Sequence, residues 1–274
     1  MRRLTIPGTD LSVARLSFGT ASLHHLFTRT ERQRLLETAA DAGFVHFDTS
    51  PYYGSGLAEA ELGRVFAKRT DISIATKVGL YPALGRSSNH VRTLAAIAAG
   101  KLVRRLSKPI ADWTVSRARA SLDASLRSLR REYADIVFLH EPEPPAAQAD
   151  ELLRFLEDEH RRGRVRHWGI AGTVERCVPW VRCRHPIAAI VQTNDSIQSA
   201  EADGVIALGL PLQFTYGYLS AASRAMSPTD TIRGALERNR SGSILVSSRD
   251  PGHLTDLARV VTEAESDDPR SSQH

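Results

Sequence analysis

The segment FVHFD, residues 44–48, is a short run suited to a buried β-strand, and it ends on Asp48. Two later segments have the same form, since ISIAT leads into Lys77 and DIVFL leads into His140. Between such runs lie longer stretches with apolar residues at helical spacing, an alternation typical of βαβ units and a parallel sheet. In a closed parallel barrel the carboxyl ends of the strands share one face, where active sites lie. The sequence therefore predicts Asp48, Lys77 and His140 at one barrel mouth.

The whole pattern predicts a (β/α)₈ TIM barrel over residues 1–265, as one domain, with a polar and disordered tail at 266–274. An N-terminal hairpin over residues 2–13 precedes the barrel. The predicted strands are 16–19, 44–47, 72–76, 135–139, 165–170, 187–191, 210–215 and 243–246. The predicted helices are 30–42, 58–68, 116–131, 149–162, 174–182, 228–239 and 251–265, with Thr30 and Thr173 as N-caps. No GxGxxG follows the first strand, which argues against a doubly wound sheet.

Two connections depart from a regular barrel. Residues 195–209 are too few and too polar for a full helix with its loops, which predicts a shortened sixth βα unit. Residues 78–114 form a long excursion that contains a basic helical pattern at 94–106. Insertions of this kind often cover an active-site mouth, and a surface decoration is the alternative.

Composition narrows the class of protein. The chain has 274 residues with 36 basic and 31 acidic side chains, and its net charge is +5. A basic chain can bind nucleic acid, a membrane or an anionic ligand. The sequence has no RNA-binding pattern with interleaved aromatic residues. We therefore expect neither nucleic acid nor a membrane as a partner. No stretch is apolar enough for a membrane span or a signal peptide. Two cysteines without a CxxC pair predict no disulfide framework and no metal site, and indicate a reduced, cytoplasmic setting.

Tyr53 adds proton chemistry to the predicted mouth. It follows Asp48 by five residues, and a loop of that length can fold back to bring the phenol to Lys77. A free phenol has a pKa of about 10, and a nearby ammonium lowers it. Asp48 would hold that ammonium, while His140 could donate a hydrogen bond to a carbonyl oxygen or relay a proton. The group suits proton transfer to or from oxygen.

Four motifs in order resemble the aldo-keto reductase family: DAGFVHFDTSPYYG at residues 41–54, ELG at 61–63, TKV at 76–78 and LHEP at 139–142. The resemblance covers most of the chain, from residue 4 to about residue 264. It implies a (β/α)₈ barrel that binds a nicotinamide dinucleotide without a Rossmann fold. It also implies reduction of an aldehyde or ketone, or oxidation of the corresponding alcohol or sugar. The matched positions make Tyr53 the general acid, tuned by Lys77 and Asp48, and make His140 the residue that orients the carbonyl.

The resemblance also assigns cofactor positions. Gly19 and Thr20 match the start of the cofactor groove, Gln192 matches the residue that holds the carboxamide, and Tyr216 matches the aromatic residue that stacks on the nicotinamide. The segment Ser247-Ser248-Arg249 lies where the adenosine phosphate binds. Arg249 there would pair with a 2′-phosphate, and the following helix would offer its N-terminus, which favours NADPH while NADH also fits.

The chain departs from the family at several cofactor positions. Ala171 and Gly172 stand where the family commonly has a Ser-Asn pair that also holds the carboxamide. Gly252 and Leu257 stand where it often has a Glu and an Asn that grip the adenine end. These departures leave the choice between NADPH and NADH open.

Three interpretations follow from the sequence. The first is an active carbonyl reductase or alcohol dehydrogenase acting on a small molecule. The second is a non-catalytic member that binds cofactor as a sensor or partner protein. The third is a lyase or dehydratase that uses Lys77 as a Schiff base, against which Tyr53 and His140 in the family spacing argue. The substrate, the direction of reaction and the oligomeric state, monomer or dimer, are left open.

Overall fold

The computed structural model describes residues 1–86, 108–143, 148–223 and 225–266. The strands are β1 (Arg3–Thr5), β2 (Ser12–Ala14), β3 (Leu16–Gly19), β4 (His46–Asp48), β5 (Ser73–Val78), β6 (Leu80–Tyr81), β7 (Ile110–Ala111), β8 (Ala134–His140), β9 (Val165–Gly172), β10 (Val191–Asn194), β11 (Phe214–Tyr216) and β12 (Ser243–Val246). The helices are α1 (Arg29–Asp41), α2 (Leu57–Phe66), α3 (Val115–Leu129), α4 (Ala149–Arg161), α5 (Val174–Arg182), α6 (Asp203–Ile206), α7 (Tyr218–Ala221), α8 (Pro228–Arg238) and α9 (Pro251–Ser266).

Eight parallel strands close into a barrel in the order β3, β4, β5, β8, β9, β10, β11, β12, with β12 returning to β3. This confirms the predicted (β/α)₈ barrel. The sixth βα unit is short as predicted, because residues 195–209 hold only the four-residue helix α6. No helix in the described ranges is long and apolar enough to cross a membrane.

The N-terminal hairpin closes one end of the barrel. β1 and β2 pair antiparallel, and Ile6, Leu11 and Val13 are buried in one cluster with barrel residues that include Ile136 and Phe138. Full burial of each such side chain contributes about 1.5–3 kcal/mol to folding. The hairpin thus fills the amino-terminal end of the barrel, and the opposite end is left for a site.

The start of α1 corrects one prediction. Thr28, and not Thr30, is the N-cap: its hydroxyl accepts a hydrogen bond from the Glu31 backbone N–H at 3.1 Å, and the Glu31 carboxylate accepts from the Thr28 N–H at 2.8 Å. The T-x-x-E spacing at residues 28–31 is the signature of this capping box. Thr173 does precede α5, but its side chain makes no capping bond.

The sixth barrel strand lies later than predicted. Residues 187–191 were expected to form it, but Pro186–Ala188 is a 3-10 helix and the strand begins at Val191. Pro186 lacks an N–H and has a backbone angle suited to the first position of a helical turn. The His185 imidazole accepts from the Ile187 N–H at 3.2 Å and caps this turn.

The excursion after β5 leaves and returns as a two-stranded ribbon. β6 and β7 pair antiparallel, with Leu80 opposite Ala111 and Tyr81 opposite Ile110. The predicted basic helical pattern at 94–106 lies outside the described residues, and so does the predicted tail at 266–274 except for Ser266, which ends α9.

Candidate active site

Three strand ends bring three ionisable side chains to the carboxyl-terminal mouth. Asp48 ends β4, Lys77 is the penultimate residue of β5 and His140 ends β8. They line one cavity of about 400 Å³. The described residues that line it are Gly19, Ala21, Asp48, Tyr53, Lys77, His140, Glu141, Ala171, Gly172, Gln192, Tyr216, Gly217, Tyr218, Leu219, Ser220, Leu245, Val246 and Ser247.

A buried ion pair lies at the floor of the cavity. The Lys77 ammonium donates to Asp48 Oδ1 at 2.5 Å and to the Thr49 carbonyl oxygen at 3.0 Å. The two charged side chains are 2% and 3% exposed. Burial raises the pKa of Asp48 and lowers the pKa of Lys77, while their mutual attraction opposes both shifts. The Lys77 charge is therefore held in place by its partner and by one carbonyl.

Tyr53 reaches the ion pair because its loop turns back over the mouth. The turn Tyr53–Gly56 has left-handed backbone at Gly54 (φ 56°) and Gly56 (φ 91°), which glycine adopts readily. A Cβ at Gly54 would lie 2.7 Å from the His24 Cβ, so a side chain there would push the turn away. The Lys77 ammonium lies 5.0 Å from the centroid of the Tyr53 ring.

The pKa of Tyr53 shifts in the direction opposite to the prediction. The sequence predicted that Lys77 would lower it, but burial raises it well above its ordinary value, and electrostatic interactions with Asp48, Tyr216 and Glu141 add to the rise. The loss of water around the phenolate raises the pKa of Tyr53 by more than the Lys77 ammonium lowers it, because that ammonium is already neutralised by Asp48. The phenol is therefore protonated at neutral pH and can act as an acid.

His140 is held as a neutral imidazole beside Tyr53. The two rings meet edge to face at 5.9 Å between centroids, and His140 Nδ1 lies 3.3 Å from the Ser50 hydroxyl. Burial and the Lys77 charge hold the pKa of His140 well below its ordinary value. Ser50 was not predicted, and its only sequence signal is its place between Asp48 and Tyr53.

Gln192 carries an unused acceptor at the cavity. It lies in β10, is 4% exposed, and its side chain interacts with Asp48 and helps to lower that pKa. Its Oε1 atom is buried and has no hydrogen-bond partner among the described residues. Such an atom is costly unless a donor reaches it. Tyr216, at the end of β11, lines the same cavity, and burial raises its pKa.

The other predicted cofactor positions divide into two groups. Gly19 and Ser247 line the cavity, and the Ser247 hydroxyl donates to the Gly19 carbonyl oxygen at 2.7 Å. Thr20, Ser248 and Arg249 do not line it. The Thr20 hydroxyl is buried and donates to the Asp48 carbonyl oxygen at 2.9 Å, which links β3 to β4.

The segment after β12 is arranged on the outside of the mouth. Arg249 is exposed and forms no ion pair within the described part of the chain. The Ser248 hydroxyl accepts from the Asp250 N–H at 3.0 Å, and the Asp250 carboxylate accepts from the Gly252 N–H at 2.8 Å. The first turn of α9 is thus already capped by Asp250. Leu257 is 6% exposed and packs in the core.

Tyr218 and Glu141 are among the cavity residues that sequence reasoning missed. Tyr218 lies on the wall formed by β11 and α7, and nothing in the local pattern marks it. Glu141 follows His140 within a motif but was given no role. Both line the cavity in the structure. The assembled group places a neutral phenol and a neutral imidazole over a buried ion pair, which suits proton donation to an oxygen held between them.

Comparison with known proteins gives a consistent family. The model of the Aldo/keto reductase family matches residues 15–207. The chain is 29% identical over 173 residues to L-galactose dehydrogenase of Arabidopsis thaliana, an alignment covering 60% of this chain and 46% of that protein. It is 32% identical over 140 residues to D-threo-aldose 1-dehydrogenase of a Pseudomonas species, covering 48% of this chain and 41% of that protein. The chain spans about half the length of these curated relatives.

A solved structure extends the likeness in fold to nearly the whole chain. The glycerol dehydrogenase of Gluconobacter oxydans superposes with a TM-score of 0.72 at 21% identity, covering 94% of this chain and 89% of that one. At this identity the likeness shows the shared barrel. The matched family model covers more than half of the chain, in the same segments that carry Asp48, Lys77 and His140, and the protein therefore belongs to the aldo-keto reductase family.

Proposed function

We propose that this protein is a nicotinamide-dependent oxidoreductase that interconverts an aldehyde or ketone and its alcohol, with Tyr53 as the proton donor. The observation that carries the proposal is the Tyr53 phenol, packed edge to face against His140 and 5.0 Å from the ammonium of the buried Asp48–Lys77 pair. Family membership supports it, and the dehydrogenase names of the relatives agree with carbonyl and alcohol chemistry.

The cavity residues fit the nicotinamide end of such a cofactor. The buried Gln192 Oε1 lacks a donor among the described residues, and a carboxamide N–H₂ group would supply one. Tyr216 offers an aromatic face, while Gly19 and Ser247 would form the start of the groove. A bound nicotinamide dinucleotide supplies the hydride for the carbonyl carbon and becomes positively charged in doing so.

Tyr53 gives its proton to the substrate oxygen in this scheme. The phenolate left behind is then stabilised by the Lys77 ammonium, whose place is held by Asp48 and the Thr49 carbonyl oxygen. A charge that is already positioned needs no reorganisation as the phenolate forms. Burial raises the pKa of Tyr53, so the Lys77 charge is needed to offset the cost of forming the buried phenolate.

His140 orients the carbonyl. The Ser50 hydroxyl accepts from the Tyr52 N–H at 3.2 Å, which leaves its own proton free to bond His140 Nδ1. In that tautomer Nε2 carries the ring proton and donates to the substrate oxygen. Because burial keeps the ring neutral, His140 acts as a hydrogen-bond donor and does not compete with Tyr53 as the acid.

The names of the relatives suggest the first substrates to test. They act, by name, on L-galactose and D-threo-aldoses, so we propose small polyhydroxylated aldoses and ketoses for the first screen. We further propose NADPH as the preferred cofactor, with Arg249 swinging toward its 2′-phosphate, because this guanidinium is exposed and has no ion-pair partner among the described residues.

Replacement of Tyr53 by phenylalanine tests the proposal. Loss of a general acid typically costs about 100-fold or more in turnover, while cofactor binding, followed by quenching of tryptophan fluorescence, should be retained. Near-wild-type turnover in Tyr53→Phe would refute the mechanism.

The departures near the cofactor support a second candidate, a protein that binds cofactor without turnover. Ala171 and Gly172 offer no polar side chain to a carboxamide, and Asp250 already caps α9. Tight cofactor binding by the wild-type protein, with no activity across the substrate screen, would favour this candidate.

A further inference from the structure

Glu141 presents a carboxylate to the active-site cavity. It directly follows β8, and its φ of 53° lies in the left-handed region that non-glycine residues seldom adopt. Its N–H donates to the Ala171 carbonyl oxygen at 2.7 Å, and its Oε2 accepts from the Thr173 N–H at 3.2 Å. Two backbone contacts thus hold this side chain against the end of β9.

The carboxylate takes the space that a side chain at Gly172 would need. A Cβ built on Gly172 would lie 2.8 Å from Glu141 Oε2 and 3.2 Å from its Cδ. The neighbouring Ala171 contributes only a methyl group. This wall of the cavity is therefore backbone, one methyl and one carboxylate.

The negative charge of Glu141 is poorly compensated. Arg176 attracts it, but Arg176 also pairs with the exposed Glu143 at 3.4 Å, and Glu175 repels it. The Lys77 charge is already neutralised by Asp48. Glu141 also raises the pKa of Tyr53 and of Tyr216, so its field reaches two of the tyrosines that line the cavity.

We propose that Glu141 stabilises the positively charged, oxidised nicotinamide over the neutral, reduced form, and so makes the bound cofactor a stronger reductant. The inference rests on the proposed function. A carboxylate beside the cavity attracts the cationic, oxidised nicotinamide ring. The reduced ring has no net charge, so the same carboxylate does not attract it in this way. Only such a differential interaction can shift an equilibrium between two bound forms.

The Glu141 charge acts on the two steps of reduction in opposite directions. It favours the positive charge that the cofactor acquires when a carbonyl is reduced, and it raises the pKa of Tyr53, which disfavours the phenolate left after proton donation. Cofactor binding in the absence of substrate isolates the first effect.

The test compares the dissociation constants of NADP⁺ and NADPH for the wild-type protein and Glu141→Gln. Titrations follow tryptophan quenching for both forms at pH 8, because burial raises the pKa of Glu141 and a higher pH favours its ionised form. Glutamine keeps an acceptor for the Thr173 N–H and removes only the charge. We expect NADP⁺ to bind about tenfold more weakly and NADPH to change by less than about twofold. The potential of the bound couple would then rise by about 30 mV.

Glu157→Gln is the matched control, since Glu157 is exposed on α4, forms no ion pair in the described part of the chain and lies outside the cavity lining; it should leave the ratio of the two constants unchanged. Gly172→Ala is a second variant, because its added methyl would displace the Glu141 carboxylate, and it should shift the ratio in the same direction. Equal changes for both cofactor forms in Glu141→Gln, or none, overturn the inference while the proposed function stands. Failure of the wild-type protein to bind either form overturns both.

Discussion

Replacement of Asp195 by alanine would remove the centre of a buried network behind the cavity wall. The Asp195 carboxylate is fully buried and accepts from the Tyr218 hydroxyl at 2.5 Å, from Arg238 at 2.8 and 3.0 Å, and from the Ala202 N–H at 3.1 Å. Removing one partner of a buried ion pair costs about 3–5 kcal/mol. Arg238 is 23% exposed and keeps its contact with Asp203, so we expect the lower end, about 3 kcal/mol.

Urea unfolding followed by circular dichroism measures this loss, together with the slope that reports the surface exposed on unfolding. Asp203→Ala is the matched control, because Asp203 binds the same guanidinium but is 66% exposed, and its loss should cost less than about 1 kcal/mol. Equal destabilisation by the two variants would refute the view that Asp195 anchors the wall at residues 216–220. In Asp195→Ala we also expect weaker cofactor binding, since the lost carboxylate accepts from the hydroxyl of Tyr218, which lines the cavity.

Helix packing, titration and cofactor choice allow three further tests. Gly63→Ala should lower the free energy of unfolding by about 2 kcal/mol, because its Cβ would lie 2.1 Å from the Ser128 carbonyl oxygen. Gly204→Ala is the control and should be nearly neutral, because the atom nearest to its Cβ would lie at 3.2 Å. Equal effects of the two variants on urea unfolding would contradict this reasoning. Burial, with a smaller contribution from the Lys77 charge, lowers the pKa of His46 from 6.5 to about 3. Between these two pH values the unfolded chain binds a proton that the folded chain does not, so the free energy of unfolding falls as the pH falls from 6.5 to about 3. His46→Phe should reduce that slope by up to about 1.4 kcal/mol per pH unit, and an unchanged slope would show that His46 titrates normally in the fold. Arg249→Ala should weaken NADPH binding more than NADH binding in fluorescence titrations; an equal loss would mean that Arg249 does not bind the 2′-phosphate.

Much of the fold is readable from local pattern. Strands β3 and β12 and helix α5 have the predicted bounds, because their apolar spacing, flanking turns and caps are properties of neighbouring residues. The meeting of Asp48, Lys77 and His140 follows from the same information. Once the strands are parallel and the barrel closes, residues at their carboxyl ends share one mouth.

The errors arise where distant contacts compete with local pattern. The apolar run at 187–191 reads as a strand, but Pro186 starts a helical turn, and the pairing of Gln192 with Phe214 sets the register of β10. The wrong N-cap predicted for α1 is an error of a different kind, since the T-x-x-E signal that marks Thr28 as the N-cap was present in the sequence.

By itself the sequence determined the barrel, the order of its strands and the chemical types that meet at its mouth, because strand and helix periodicity are local and closure follows from them. Only the tertiary structure decided how those groups titrate and what surrounds them. The rise in the pKa of Tyr53 is the sum of burial and of charges from several strands. The place of the Glu141 carboxylate in the space beside Gly172 depends on two strands packing side by side. Burial and electrostatic fields are summed over residues far apart in the chain, so no local pattern contains them.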